Sequence, residues 1–360
     1  MSSTQLAASN SLDMVLHEAS RRAQGYRPHL LHGSHMVRKQ SNCYVDLWIE
    51  LLAQWGLDPH AALPFTLTQD FEEDQFTFFK FPLEDLELLY GVVVQEHGIF
   101  EPLQMHIEHQ VKRGHVMLVE VDAWHLPDTR GITYQQQHTK TTIGIDVIDQ
   151  AHRQLGYFHN SGYYLAGGAD YDGLLELATP SSLSPYVECA KRRFKPLEGA
   201  ALREASFALF QRHLQRRPSA NPIVAFRHAL ARDAAAIASR PMSYFHAYSF
   251  NIFRQLGANF ELLGHYLRWL NLDGRSDPGL IANMVAACNR IATESMVLEF
   301  RLARACSRGK EDRGESSLDV LEHAYTVLFD GLDEAFPVTR IEPYAEVAAQ
   351  QSQYNLALDA

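Results

Sequence analysis

One cysteine in this chain stands where a thiolate nucleophile could form. Cys43 is followed by apolar residues at helical spacing, and Gly56 is the expected end of that helix; these residues are Leu47, Trp48, Leu51, Leu52 and Trp55. Free N–H groups and the positive end of a helix dipole stabilise a thiolate, which is the nucleophilic form of cysteine. The alternative is a structural thiol, because free cysteine is among the most buried residue types.

A cysteine nucleophile needs a base within hydrogen-bond reach and a third group that orients the base. His138 is the best candidate base, because it follows the polar segment 134–137 and opens an apolar strand. Asn160 ends the partner strand of a predicted hairpin, roughly opposite His138, where its amide could hold the imidazole tautomer. Asp146 and His159 are weaker substitutes. The alternative makes His138 a structural histidine and Asn160 a turn residue.

Three further polar residues could support the same reaction. Gln40 or Asn42 could donate a hydrogen bond to an oxyanion alongside the backbone N–H of Cys43. Either residue could equally cap the helix. Asp122 ends a hydrophobic strand, and we interpret it as pinning the loop that follows rather than facing a cleft.

The elements that must position these residues change in type along the chain. The first half predicts a helix within 40–56, with Cys43 at or just before its first turn, and helices over 11–23, 83–90 and 102–113. It predicts strands over 75–81, 92–96, 115–122, 138–146 and 155–160. Beyond residue 185 the periodicity is helical over 198–217, 222–239, 243–271, 279–307 and 317–335. The pattern predicts an α+β fold, with domain 1–184 followed by a helical bundle over 185–340 and a loosely ordered tail over 341–360.

Composition limits the class of protein. The chain has 360 residues, of which 46% are apolar, and this is enough for a full core. Its four cysteines form no CxxC pair, so we expect neither a metal site nor a disulfide framework, and a reducing compartment fits best. No leader pattern and no run of 18 apolar residues occurs, which favours a cytoplasmic protein without a membrane span. Without a phosphate loop or dinucleotide fingerprint, we expect no bound cofactor.

Charge is distributed unevenly along the sequence. A net charge of -11 argues against general nucleic-acid binding, yet residues 185–240 carry 11 Lys and Arg against 4 Asp and Glu. Four of these cations lie close together, at Lys191, Arg192, Arg193 and Lys195. A solvated arginine-rich helix face is the plain interpretation of this basic region.

Several stretches resemble an uncharacterised bacterial family of about this length, namely residues 42–52, 119–129, 138–146, 155–160 and 249–263. More distantly, the first half is similar to the butirosin-type acyltransferases. These have a papain-like cysteine fold and move an aminoacyl group from an acyl carrier protein to an amine. Their pattern is matched by Cys43, by Asp122 with Leu126-Pro127, and by His138 with Gly144 and Asp146. Their usual third member is an aspartate, where this chain has Asn160, as papain-like peptidases do.

The resemblance implies a papain-like first half that forms a Cys43 acyl-enzyme and passes the acyl group to an amine or other small acceptor. The implied donor is the phosphopantetheine thioester of an acyl or peptidyl carrier protein. Carrier proteins resemble one another in being acidic, so the four clustered cations could form their docking face. A cysteine amidase or peptidase, and a non-enzymatic interaction protein with Cys43 in its core, are the alternatives.

Overall fold

The computed structural model describes residues 16–177 and 184–339. The chain divides into two compact units, the first formed by Met1–Ala62 and Lys80–Leu202, the second by Leu63–Phe79 and Arg203–Ala360. The predicted domain boundary at 184/185 lies before the last strand of the sheet, Val187–Arg192. Because that strand belongs to the first unit, the unit extends beyond the predicted boundary, to Leu202. The tail over 341–360 lies outside the described residues.

The first unit is organised around an antiparallel sheet with six strands in the described ranges. These are β1 (Val92–Glu96), β2 (Val116–Asp122), β3 (Lys140–Asp149), β4 (Gln154–His159), β5 (Gly162–Gly167) and β6 (Val187–Arg192), in the spatial order β1-β6-β2-β3-β4-β5. The first four agree with the predicted strands to within three residues. The strand predicted over 75–81 is wrong, because that region makes only the isolated bridge between Phe71 and Phe76 among the described residues.

Helices cover both faces of this sheet. They are α1 (residues 16–25), α2 (Cys43–Gln54), α3 (Leu83–Tyr90), α4 (Leu103–Val111) and α5 (Ala169–Leu174). Helix α2 approaches the sheet closely at Gly144, where an added Cβ would lie 3.2 Å from Leu47 Cδ1. Met117 and Val119 point to the opposite face and join a buried hydrophobic cluster with Ile107 of α4. Helix α2 and helix α4 therefore pack on opposite faces.

The second unit is helical. Its helices are α6 (Gly199–Gln215), α7 (Pro222–Ser239), α8 (Met242–Ser249), α9 (Gln255–Leu270), α10 (Pro278–Cys306) and α11 (Glu315–Ala335). The single helix predicted over 243–271 is interrupted by a π-helical turn at Phe250–Arg254. The α+β class with a helical C-terminal half is confirmed. Within the described ranges, none of the helices has the length and apolar character needed to cross a membrane.

An early segment of the chain completes the second unit. Phe71 and Phe76 pack against the ring of Phe226 in α7, with centroids 5.6 and 5.3 Å apart. The side chain of Asn259 in α9 donates a hydrogen bond to the carbonyl of Thr66 at 2.8 Å, and Asn259 is fully buried. Residues 63–79 are therefore part of the core of the helical unit.

Candidate active site

Cys43 is the first residue of α2. Asn42 caps the helix, because its side-chain oxygen accepts a hydrogen bond from the Val45 N–H at 3.0 Å. Cys43 is partly exposed, whereas Cys189, Cys288 and Cys306 are buried. Burial raises the pKa of the Cys189 and Cys288 thiols and so disfavours their thiolates. Among the four cysteines, Cys43 is the one open to a reagent.

His138 lies just before β3 and forms a hydrogen-bonded pair with Asp122. Its Nδ1 is 2.5 Å from Asp122 Oδ2, and its ring stacks on Trp124 with centroids 4.5 Å apart. The second carboxylate oxygen of Asp122 accepts the N–H groups of Trp124 and Thr139 at 3.0 and 3.1 Å. Burial acts to raise the pKa of Asp122, but these hydrogen bonds outweigh it and lower that pKa below its usual range. Asp122 thus orients His138 and pins the adjoining loop.

Asn160 does not take the orienting role that we expected. It occupies the turn between β4 and β5 with φ +48°, and its amide nitrogen is 3.5 Å from Nδ1 of His159. The strand register explains the difference. Gly144 pairs with Phe158, so continuing this pairing sets residue 160 opposite residue 142, four residues from His138, or about 13 Å along a strand. The hairpin was predicted, but its register could not be read closely enough from the sequence.

Cys43 and the His138–Asp122 pair lie on the same face of the sheet. Side chains alternate along a strand, and Val119 of β2 points towards α4. Leu118 and Asp122 therefore point to the other face, where α2 packs, and Leu118 lies beside Leu47 of that helix at Gly144.

The two groups also lie at the same end of the sheet. At the start of β6, Glu188 accepts a hydrogen bond from the Tyr44 hydroxyl at 2.9 Å. At the end of β6, the Arg192 guanidinium lies 5.4 Å from the ring centre of Trp55. Helix α2 therefore runs parallel to β6 and antiparallel to β2, which places Cys43 at the end where β2 finishes. No hydrogen bond joins Cys43 to His138 within the described residues, and Nε2 of His138 has no protein partner there.

A cleft of about 390 Å³ opens beside His138. Its lining includes acidic and basic side chains, and Lys140 bonds Glu120 across strands β2 and β3 at 2.7 Å. The principal lining residues are Glu120, Asp122, His138, Lys140, Glu176 and Pro185. Such a polar cleft can admit a hydrogen-bonding substrate to the free edge of the imidazole.

A buried charged cluster behind Cys43 was not predicted from the sequence. Asp46 and Glu50 lie one turn apart on α2, both 1% exposed, and His32 lies between them. Nε2 of His32 donates to Asp46 at 3.1 Å, and Nδ1 donates to Glu50. Burial acts to lower the His32 pKa, but hydrogen bonds and charge from both carboxylates raise it to about 9. The sequence feature that could have indicated this cluster is the pair of acids, Asp46 and Glu50, within an otherwise apolar helical segment.

Other predicted supporting residues lie apart from His138. Asp146 accepts a hydrogen bond from the Tyr163 hydroxyl at 2.7 Å and pairs with Arg22. Burial raises the pKa of Asp146, although both of those partners oppose the shift. Gln40 is exposed, and the side-chain oxygen of Asn42 is used as the helix cap.

His159 belongs to a separate buried group. Its Nδ1 donates to Asp128 at 2.7 Å, and its Nε2 accepts from the Thr141 hydroxyl at 2.9 Å. Tyr157 donates to the other oxygen of Asp128 at 2.6 Å. Since both ring nitrogens are bonded within the protein, we interpret His159 as structural.

The four clustered cations lie on and after β6 rather than on a helix. Lys191 donates to the side chain of Gln95, and Arg192 lies over Trp55. None of the four forms an ion pair with a carboxylate in the part of the chain that the structure describes. The four cations are Lys191, Arg192, Arg193 and Lys195. These residues therefore form a cationic segment without a paired carboxylate among the described residues. The segment lies at the end of α2 that is remote from Cys43.

Comparison with known proteins gives two matches to family models. Residues 27–192 match the DUF1839 N-terminal domain, and residues 199–334 match the DUF1839 C-terminal domain. No curated protein matches the chain.

Proposed function

Since the chain belongs to the DUF1839 family, whose function is unknown, we propose its activity from the site: a cysteine-dependent acyltransferase of papain-like fold, acting through a Cys43 acyl-enzyme. The observation that carries the proposal is the shared position of Cys43 and the His138–Asp122 pair, on one face and at one end of the sheet. Cysteine proteins with this chemistry combine a helix-terminal thiol, a histidine base and a residue that orients the base. Here Asp122 supplies the orientation.

The proposed reaction has two steps. His138 takes the proton of Cys43, and the thiolate bonds to the carbonyl carbon of a thioester. The carbon–sulfur bond of the donor breaks, His138 gives its proton to the departing sulfur, and the donor leaves as a thiol. An acceptor amine then attacks the acyl-enzyme and gives a proton to His138. An amide forms, and Cys43 departs and regains its proton from the imidazolium.

Local backbone groups support the charge that develops on the carbonyl oxygen. The Cys43 and Tyr44 N–H groups lie in the first turn of α2, where N–H groups have no partner within the helix. In the described chain neither donates a hydrogen bond elsewhere. The oxyanion of an acyl group bonded to Cys43 can accept hydrogen bonds from these two N–H groups. Removal of one such donor lowers the rate constant about 100-fold or more in known enzymes.

We propose a carrier-protein thioester as the donor because no cation of the segment at the end of β6 is paired with a carboxylate among the described residues. An acidic protein surface complements such a segment and associates faster with it. Helix α2 has twelve residues and is about 18 Å long. A carrier docked at these cations would therefore have to present its thioester about that far from its docking site, at the other end of the helix.

The direct test is acylation of Cys43 by pantetheine thioesters that carry small acyl and aminoacyl groups, followed by intact mass. We expect a single acyl adduct on the wild-type chain, none on Cys43→Ala, and acylation about 100-fold slower on His138→Gln. The matched control is His152→Gln. His152 is also exposed and is bonded to Asp149 at 2.6 Å, but it lies past the far end of β3. Equal acylation rates in the two histidine variants would refute a base role for His138.

The product released from this acyl adduct distinguishes transfer to an amine from hydrolysis. Release as an amide on addition of an amine supports transfer, whereas release as a free acid in buffer alone supports hydrolysis. Reversing all four cations to glutamate should slow acylation from carrier-bound thioesters and leave acylation from free pantetheine thioesters unchanged. If both donors are unaffected, the carrier docks elsewhere.

A further inference from the structure

The segment that leads into Cys43 is bound to α2 by buried charge. The Ser41 N–H donates to both oxygens of Asp46, at 3.0 and 2.9 Å, and the Ser41 hydroxyl donates to Asp46 at 2.6 Å. Ser41 and Asp46 are 5% and 1% exposed. Asp46 therefore fixes the backbone two residues before Cys43.

The same helix carries a second anchor one turn further on. Glu50 accepts the Tyr26 hydroxyl at 2.6 Å and the His29 N–H at 2.9 Å. His29 also contacts the ring of His60, with centroids 5.5 Å apart. The approach to the Cys43 helix is thus held at two points, and each point is a buried carboxylate.

His32 connects these two points. Two carboxylates at i and i+4 on a helix repel each other, and in a buried site that repulsion is screened less than in water. The imidazole lies between Asp46 and Glu50, bonded to both, and is 2% exposed. It places a positive charge between the two carboxylates and holds both of them in position.

We infer that His32 is a positioning residue for Cys43: by bridging Asp46 and Glu50 it holds Asp46 on Ser41, and so fixes the turn from which the thiol projects. The inference rests on the proposed acyl transfer, because positioning has meaning only for a reacting thiol. Without His32, the two carboxylates repel each other with no cation between them, and Asp46 loses the geometry that binds the Ser41 N–H. A thiol displaced by about 1 Å can lose about 100-fold in rate.

The test uses the full chain with His32→Gln, and Glu50→Gln as a second variant that removes one charge while keeping a hydrogen-bonding side chain. Single-turnover acylation by pantetheine thioesters gives a rate constant and the fraction of molecules acylated. We expect the rate constant to fall about 10-fold or more in His32→Gln, with the fraction unchanged, and to fall less in Glu50→Gln. A purely structural role would lower the fraction and leave the rate constant as it was.

Hydrogen exchange of the amides over 41–46 is the second readout, and it does not depend on the reaction. Exchange should quicken in His32→Gln, while Tyr26→Phe, which removes a different bond to Glu50, should leave both the exchange and the acylation rate constant unchanged. Unaltered exchange in His32→Gln and Glu50→Gln would overturn the inference. Faster exchange with an unaltered rate constant would also overturn it. If the wild-type chain is not acylated at all, the proposed function fails, and the exchange result still decides whether His32 holds the turn.

Discussion

The stability of the protein should fall as the solution becomes alkaline, because of one buried histidine. His32 has a pKa of about 9 in the folded protein against an ordinary value of 6.5, since hydrogen bonds and charge from Asp46 and Glu50 outweigh the effect of burial. The folded state therefore binds this proton more tightly than the unfolded state does. The stabilisation is complete below pH 6.5, shrinks as the pH rises towards 9, and is absent above that range.

The size of the effect follows from the same two values. Each unit of pKa difference corresponds to 1.36 kcal/mol, so the free energy of unfolding should fall by about 3 kcal/mol between pH 6.5 and pH 9. This is a large share of the stability of an ordinary domain. His29 does not contribute in this window, because burial and the neighbouring His60 lower its pKa to about 4 and its effect appears below pH 6.5.

Urea unfolding between pH 6 and pH 9.5, followed by tryptophan fluorescence, measures this loss. The slope should approach 1.36 kcal/mol per pH unit in the wild-type chain and should be much shallower in His32→Gln. Glu50→Gln should give an intermediate slope, because it removes one of the two charges that raise the pKa. Parallel slopes in the wild-type chain and His32→Gln would mean that His32 is not the charged centre of this cluster.

Two further predictions concern stability away from the site. Gly91→Ala should destabilise the protein more than Gly56→Ala. Both glycines end helices at positive φ, +65° and +73°, and alanine at either position costs about 1 to 2 kcal/mol for that backbone conformation. Only the Cβ at position 91 would also meet the Phe194 carbonyl oxygen, at 2.4 Å. Equal losses in urea unfolding would show that this carbonyl moves freely. Arg227→Lys should cost about 1 kcal/mol at low salt and less at high salt, because Arg227 bonds three carboxylates of α11 with a planar fork that lysine lacks. A loss in the unfolding free energy that is unchanged by salt would contradict this explanation.

The sequence predicts the helices well because their apolar stripes are long, and it predicts β1 to β4 because these strands are strongly apolar. It misses β5, which begins and ends with glycine, and β6, which contains charged residues. It also assigns a strand to the phenylalanine-rich segment 75–81, where rings such as Phe76 instead pack on helix α7. Alternation of side chains cannot distinguish strand pairing from packing of this kind.

The candidate site was predictable only in part. The helical pattern after Cys43 predicts that this residue lies at or just before the first turn, and the helix begins at Cys43. The partner of His138 depends on strand register, and a shift of a few residues decides between Asn160 and Asp122. The charged cluster around His32 depends on which polar side chains point inward, and a single sequence does not contain that information.

The contribution of residues 63–79 to the helical unit has a consequence for synthesis on the ribosome. This segment emerges more than a hundred residues before Phe226 and Asn259, the side chains that it contacts in the finished unit. Domains usually fold in the order in which they are made, but here the early segment must wait for the late helices. A fragment beginning at residue 203 would lack part of its own core, so the two halves matched by the family models cannot be separated by one cut without loss.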